Sequence, residues 1–195
     1  MTKSIHRSLA AVLAIACALA ACDRSRPANA KGQWAPTTVS GLTLSSPGRL
    51  LRITTEVPAA LDPAVRDAVQ RIDSHGRSQG EAEIRVSRVT YTPGVALSLR
   101  NSAQGAVDAM RANPAVAGMT HTHAAAQTSG QPSLRTSLRM AVQDRPAMGE
   151  MLSVIRGQTL WQVQVLGPAT AETDTLAQRV MRSITLEPEQ PVAKQ

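Results

Sequence analysis

Residues 134–142, LRTSLRMAV, follow a two-residue alternation. Leu134, Thr136, Leu138, Met140 and Val142 fall on one face of an extended chain, while Arg135, Ser137, Arg139 and Ala141 fall on the other. This period of two residues predicts a β-strand that buries one face and leaves the other accessible. Segments of the same character on either side would build this strand into a sheet.

Strand-like segments flank this stretch at short intervals. Gly118–Gln127 precedes it across the turn residues Ser129-Gly130-Gln131-Pro132, and Gly149–Arg156 and Thr159–Leu166 follow it, joined at Gly157-Gln158. Connections this short favour antiparallel neighbours, because a parallel connection needs about a dozen residues or more. The second half of the chain is therefore predicted to be a four-strand antiparallel meander.

The first half and the C-terminus add predicted helices to this sheet. Thr38–Ser45 and Arg49–Val57 are predicted to form a hairpin around Ser46-Pro47-Gly48, and Ala82–Thr92 to form a further strand. Helices are predicted from Asp62-Pro63 to the turn residues Ser74-His75-Gly76, from Ser98 to Asn113, and from near Thr170 to Ile184. The predicted fold class is α+β: an antiparallel sheet with a C-terminal four-strand meander and two to three packing helices.

This order of elements resembles the PsbP-like fold. The resemblance is carried by residues 84–91 (IRVSRVTY), the helix from Ser98 to Asn113, residues 160–165 (LWQVQV) and the segment from Arg179 to Leu186. That family includes an extrinsic photosystem II subunit and many bacterial lipoproteins of unassigned role, and its members act mainly as binding or assembly modules. The resemblance therefore implies a non-enzymatic binding protein.

The N-terminus has the pattern of an export signal. Lys3, His6 and Arg7 precede an apolar run from Leu9 to Ala21, which is too short to span a bilayer. The run ends in Leu19-Ala20-Ala21-Cys22, which resembles the lipobox of bacterial lipoproteins. That resemblance implies a diacylglyceryl group on the Cys22 sulfur, a cut just before Cys22, and a new amino terminus that can be acylated. The alternative is an ordinary secretory signal cut after Ala30, at Ala28-Asn29-Ala30.

Lipidation of Cys22 would determine the membrane location of the protein and the division of its chain into signal peptide, tether and domain. Asp23 resembles the residue that retains enterobacterial lipoproteins in the inner membrane, so the periplasmic face of that membrane is preferred and the outer membrane is the alternative. The predicted organisation is a signal peptide at 1–21, an anchor and flexible tether at 22–36, a single domain at 37–186, and a disordered tail at 187–195. No cofactor is expected beyond the lipid on Cys22.

The charge of the chain is mildly basic. Removing residues 1–21 takes away Lys3 and Arg7 and no acidic residue, so the net charge falls from +7 to +5. The excess is spread along the chain without the basic cluster and interleaved aromatic residues that nucleic-acid surfaces use. The expected partners are therefore membrane lipid through the anchor and an envelope protein or component, and not nucleic acid.

Few residues suggest chemistry. His121 and His123 lie two apart on a predicted strand and share a face, which would supply two ligands of a metal site that needs three or four. Arg135 and Arg139 share a strand face and are the candidates for contact with an anion. Asp73-Ser74-His75 has the residue types of a catalytic triad, but neighbours along a chain seldom assemble that geometry. No catalytic residue is predicted.

Two functional hypotheses follow. The first is a lipid-anchored, non-enzymatic module that binds a protein or another component of the cell envelope. The alternative is a carrier of a small ligand or a metal ion, which would use His121 and His123 or the face with Arg135 and Arg139.

The lipidation hypothesis predicts a specific labelling pattern. Radiolabelled palmitate should enter the unchanged protein and not the Cys22→Ser variant, because only the Cys22 sulfur accepts the diacylglyceryl group. Inhibition of signal peptidase II should make the uncut precursor accumulate. Palmitate incorporation that survives Cys22→Ser would overturn the assignment.

Overall fold

The computed structural model describes residues 34–54 and 63–188. The predicted signal peptide, Cys22 and Asp23 lie outside the described residues. Within the described part, no helix is long and apolar enough to cross a membrane. The first described residues already belong to the folded body, since β1 (Ala35–Val39) begins inside the segment predicted to be a tether.

A seven-stranded antiparallel sheet forms the centre of the molecule. Its spatial order is β3-β4-β5-β9-β8-β7-β6. The strands are β3 (Leu51–Ile53), β4 (Val69–Gln79), β5 (Ala82–Tyr91), β6 (Val116–Thr128), β7 (Gln131–Val142), β8 (Arg145–Arg156) and β9 (Thr159–Pro168). The last four form the predicted meander, and the α+β prediction is confirmed.

The two faces of this sheet are covered by different elements. On one face lie α3 (Ala171–Arg182) and a three-stranded sheet of β1, β2 (Leu42–Ser46) and β10 (Thr185–Leu186), so we call it the α3 face. On the other, the α2 face, α2 (Leu99–Arg111) packs across β6, β7 and β8. The short helix α1 (Pro63–Ala68) leads directly into β4.

The main core lies on the α3 face. It joins the apolar residues of β5, β8 and β9 to those of the three-stranded sheet and α3, with Val163, Leu44 and Val180 fully buried among them. On the α2 face, α2 places Ala103, Ala106, Val107 and Met110 against β7 and β8. Successive residues of β8 and β9 serve the two cores in turn, because strand side chains alternate between faces.

The helices begin at the predicted positions. Ser98 and Thr170 have extended backbone angles, and their hydroxyl oxygens accept hydrogen bonds from the backbone N–H groups of Asn101 and Thr173. These are N-caps, which satisfy a donor that the first turn of a helix leaves free. Glu172 and Asp174 in the first turn of α3, with Arg179 and Arg182 in its last, complement the helix dipole.

The N-terminal third differs from the prediction in two places. The segment Thr38–Ser45 is not one strand, because Ser40 and Gly41 both have positive φ angles and form a tight turn between β1 and β2. Consequently the strand predicted over Arg49–Val57 does not pair with β2. Its described part, β3, pairs with β4 instead.

The helix predicted from Asp62-Pro63 is also too long. It ends at Ala68, and Val69 and Ile72 lie on β4, where they pack against the cluster formed by Ala68, Val89 and Tyr91. The segment Ser74-His75-Gly76 is therefore strand and not turn. Pairing with β5 over ten residues supplies backbone hydrogen bonds that outweigh the weak helical pattern of this segment.

Trp161 on β9 joins the two sheets. Its indole Nε1–H donates to the backbone oxygen of Ser40, in the β1–β2 turn, over 2.8 Å. The guanidinium carbons of Arg88 and Arg156 lie 5.8 Å and 5.4 Å from the ring centre, within the range of cation–π attraction. One buried side chain thus contributes apolar packing, a hydrogen bond and two cation–π contacts.

Removing this ring should destabilise the fold strongly. We expect Trp161→Ala to lower the free energy of unfolding by about 3–5 kcal/mol, because it leaves a cavity between the sheets and an unpaired oxygen on Ser40. The control is Leu51→Ala, at an exposed position on β3, which should change it by less than about 0.5 kcal/mol. Urea unfolding followed by circular dichroism measures both, and equal losses would contradict this role.

Candidate functional site

A cleft of about 250 Å³ opens where the three-stranded sheet meets the edge of the large sheet. Its cationic or titratable side chains are Arg49, Arg52 and His75, and its remaining lining residues are Thr37, Thr38, Val39, Leu50 and Leu51. We call it the basic cleft. A volume of this size would hold a phosphate or carboxylate group together with a few water molecules.

Three separate segments position the cleft residues. Arg52 on β3 lies directly opposite His75 on β4 in the antiparallel register. Arg49 comes from the turn after β2, where Gly48 has a φ of +148° and an added Cβ would lie 2.6 Å from the Arg77 guanidinium. The positive φ favours glycine there, because residues with a side chain rarely adopt that backbone conformation. Thr37 and Thr38 come from β1 and supply hydroxyl groups.

The acid nearest the cleft is already neutralised. Asp73 is buried on the same face of β4 as His75, and Arg71 and Arg52 approach it to 2.7 Å and 3.5 Å. The hydrogen bond from Arg71 lowers the pKa of Asp73 below its usual value, and the charges of Arg71, Arg52 and Arg88 act in the same direction against the effect of burial. Asp73 is therefore a carboxylate that balances part of the local positive charge.

One cation that lines the cleft has no ion-pair partner, and one buried nitrogen there has no hydrogen-bond partner. Arg49 forms no ion pair with a described residue, and the buried Nδ1 of His75 has no hydrogen-bond partner among the described residues. Unpaired buried polar groups of this kind are rare in folded proteins and costly to maintain. An anion seated in the cleft would interact favourably with these groups.

Asp73, Ser74 and His75 do not form a catalytic triad in the structure. Strand alternation places Ser74 on the α2 face, away from Asp73 and His75, and its hydroxyl lies 3.0 Å from that of Ser87. Asp73 is held by arginines, not by His75. Asp73 therefore forms ion pairs with arginines of neighbouring strand positions, and the Ser74 hydroxyl is not in contact with His75 as a nucleophile would be with its base.

His121 and His123 lie side by side on β6, facing α2. Their ring centres are 4.9 Å apart in an edge-to-face arrangement, and His123 Nδ1 lies 2.9 Å from the Thr136 hydroxyl. Its Nε2 is buried. No group of three or more histidine, cysteine, aspartate or glutamate side chains close enough to hold a metal occurs in the described residues. The pair could offer a metal only part of a ligand set.

Arg135 and Arg139 lie on the α3 face of β7, beyond the area that α3 covers. Arg135 donates from Nε to a carboxylate oxygen of Glu150 over 2.7 Å, so its charge is already paired. Arg139 is exposed, and its guanidinium lies 3.7 Å from the Met148 sulfur. The two side chains therefore do not form a clamp, and only Arg139 is free to meet an anion.

A second depression, of about 350 Å³, lies over the outer side of α3. Its lining includes Arg179 and Arg182. Arg179 stacks on the ring of Trp34, 3.8 Å from the ring centre, and Arg182 donates to the Gln178 amide oxygen over 3.2 Å. Both cations already have partners, in contrast to Arg49, so the basic cleft is the stronger candidate for an anion.

Comparisons with known proteins show likenesses of structure only. No family model matches the chain, and no curated protein matches it in sequence. Solved structures with a similar arrangement include a Pseudomonas aeruginosa protein of unknown function, with 14% identity and a TM-score of 0.45, covering 73% of this chain and 99% of its own. With so little identity and a TM-score below 0.5, we base no functional inference on it.

Two further solved structures have similarly low identity and TM-scores below 0.5, so they also carry no functional inference. One is LpqN of Mycobacterium tuberculosis, described as involved in cell envelope biogenesis, with 15% identity and a TM-score of 0.42 over 80% of this chain and 86% of its own. The other is cyanobacterial PsbP (CyanoP) from Synechocystis, with 12% identity and a TM-score of 0.47 over 86% of this chain and 98% of its own.

The environment of His123 predicts an acid-sensitive fold. Burial lowers the pKa of His123 below 6.5, and the nearby His121 and the Arg100 cation lower it further. The unfolded chain therefore binds the proton more readily than the folded chain, so stability falls as the pH drops through about 6.5. We expect a lower urea midpoint at about pH 5.5 than at about pH 7.5, and a smaller difference in His123→Gln. If His123→Gln keeps the full difference in urea midpoint between the two pH values, His123 is not the group that causes the acid sensitivity.

Proposed function

We propose that this chain is a non-enzymatic lipoprotein of the bacterial cell envelope that binds an anionic group in the basic cleft. The observation that carries the proposal is the convergence of Arg49, Arg52 and His75 on one cleft, where Arg49 forms no ion pair with a described residue and Asp73 is held by Arg71 as well as Arg52. The ligand group is a phosphate or a carboxylate, because these accept charge-assisted hydrogen bonds from guanidinium groups.

The short chain between Cys22 and the described domain agrees with a membrane-anchored role. Cys22 lies twelve residues before Trp34, where the described chain begins. A connection of that length reaches at most about 40 Å when extended, so an anchored domain would stay near the headgroup layer. Phosphate and carboxylate groups are abundant on envelope components, and mild positive charge attracts them. The inner-membrane location remains part of this proposal through Asp23.

The carrier alternative has less support. His121 and His123 supply two imidazoles, one of them with a nitrogen hydrogen-bonded to Thr136 and the other nitrogen buried. Arg135 is paired with Glu150. Arg139, on the same face of β7, forms no ion pair with a described residue, but it is a single free cation, whereas Arg49 shares the basic cleft with Arg52 and His75. We therefore place the ligand in the cleft and not at these residues.

The proposal predicts saturable binding of inorganic pyrophosphate, measured by calorimetry at constant ionic strength. Replacing both Arg49 and Arg52 by Gln should weaken binding at least about tenfold, because each removed charge-assisted hydrogen bond contributes about 1.5–3 kcal/mol. Arg145→Gln removes one exposed positive charge from β8, away from the cleft, and should leave the affinity unchanged. Loss of affinity in Arg145→Gln of the same size, or no saturable binding by the unchanged protein, would contradict the proposal.

A further inference from the structure

The outer edge of β6 is not paired with any other strand of residues 34–54 and 63–188. β6 is the last strand of the large sheet, and in the described part of the chain only β7 pairs with it. Its thirteen residues include no Asp, Glu, Lys, Arg or Pro. Natural edge strands usually carry such residues, are very short, or are distorted by bulges, because a free edge pairs readily with other strands. Here the only register shift lies between Ala117 and Thr120, so residues 120–128 form a regular edge.

The turn after β6 determines which backbone groups this edge presents. Ser129 and Gly130 both have positive φ angles, and Thr128 lies opposite Gln131, so the hairpin has a two-residue turn of the mirror-image type. In such a hairpin the closing pair exchanges both hydrogen bonds, and bonded and non-bonded pairs then alternate along the strands. Pro132 falls at a non-bonded position opposite Gln127, as a residue without an N–H requires.

This alternation leaves four residues of β6 whose backbone N–H and C=O groups point away from β7, toward the open edge. These residues form the non-bonded pairs with β7, and they are His121, His123, Ala125 and Gln127. A second strand that pairs with β6 must satisfy these groups. Antiparallel pairing of β6 with another β6 can satisfy all four only when the two-fold axis passes through Ala124, since then His121 faces Gln127 and His123 faces Ala125.

We propose that the protein forms a homodimer in which the β6 edges of two copies pair antiparallel about Ala124. The two large sheets then join into one continuous sheet. Four residue pairs exchange about eight backbone hydrogen bonds across the new junction. Shifting the axis by one residue reduces the number of such pairs to three, because one outward residue then faces the β6 bulge or the Ser129–Gly130 turn.

The residues near the two-fold axis suit a second copy of the same strand. A charged residue close to that axis would lie near its own copy, which is destabilising, and β6 carries no Asp, Glu, Lys or Arg. At the axis Ala124 faces Ala124, and on the same face Thr122 faces Ala126. The nearest cation on β7, Arg135, is paired with Glu150.

Engineered cysteines test the register in the full-length chain. Ala124→Cys should give a disulfide-linked dimer on oxidation, because the two Cα atoms lie opposite each other at about 4.5 Å. Ala126→Cys is the matched control on the same face of the same strand. Its two copies would lie about 14 Å apart, beyond the roughly 7 Å limit for a disulfide. The unchanged chain provides the background from Cys17 and Cys22.

The oligomeric state gives a second, independent measurement. Light scattering on the full-length protein in detergent should give a protein mass of two chains, and Ala124→Lys should give one chain, because two ammonium groups would then face each other at the axis. Ala117→Lys, also exposed on β6 but outside residues 120–128, should remain a dimer. Circular dichroism of all three proteins verifies the fold. A one-chain mass for the unchanged protein, or equal cross-linking of Ala124→Cys and Ala126→Cys, would overturn the proposal.

Discussion

The attachment of the three-stranded sheet to the large sheet through Trp161 is the constraint on which the rest of the structure depends. The chain contains no phenylalanine, one tyrosine and two tryptophans, and Trp161 is the one aromatic ring among the buried residues of the core between the layers in the described chain. Its hydrogen bond to Ser40 holds the β1–β2 hairpin in place. The guanidinium groups of Arg88 and Arg156 lie within cation–π distance of the same ring. Leu, Val and Met side chains fill the remaining core, as smaller and more adaptable substitutes for rings.

The same attachment creates the basic cleft. Because the hairpin lies beside β3 and β4, it brings Thr37 and Thr38 to the same cleft as Arg49, Arg52 and His75. The face of β4 that carries Asp73, His75 and Arg77 is then partly covered, which leaves buried nitrogens without partners among the described residues. The cleft is thus a consequence of how two layers meet, and an anion would complete the interactions that this packing leaves unfilled.

The strong periodic patterns of the sequence predicted the second half of the fold closely. Alternation from Leu134 to Val142, the cap residues Ser98 and Thr170, and the turn at Gly157-Gln158 each act locally, so they can be recognised without tertiary information. β4 was missed because Ile72 is the only large apolar residue of its interior, and the N-terminal cap pattern at Asp62-Pro63 suggested a longer helix. The alternation of Arg71, Asp73, His75 and Arg77 with less polar residues was the available signal for a strand. The cleft itself could not be predicted, because its residues come from three segments that only the hairpin geometry brings together.

The most direct test of the account is where an anion binds on the folded protein. Backbone and arginine Nε–H resonances of the ¹⁵N-labelled protein can be followed by NMR while inorganic pyrophosphate is added. Binding in the basic cleft predicts saturable shifts concentrated at Arg49, Arg52 and His75, with little change at Arg135, Arg139, Arg179 and Arg182. Shifts centred on those other arginines, or small unsaturable shifts at every exposed cation, would contradict it.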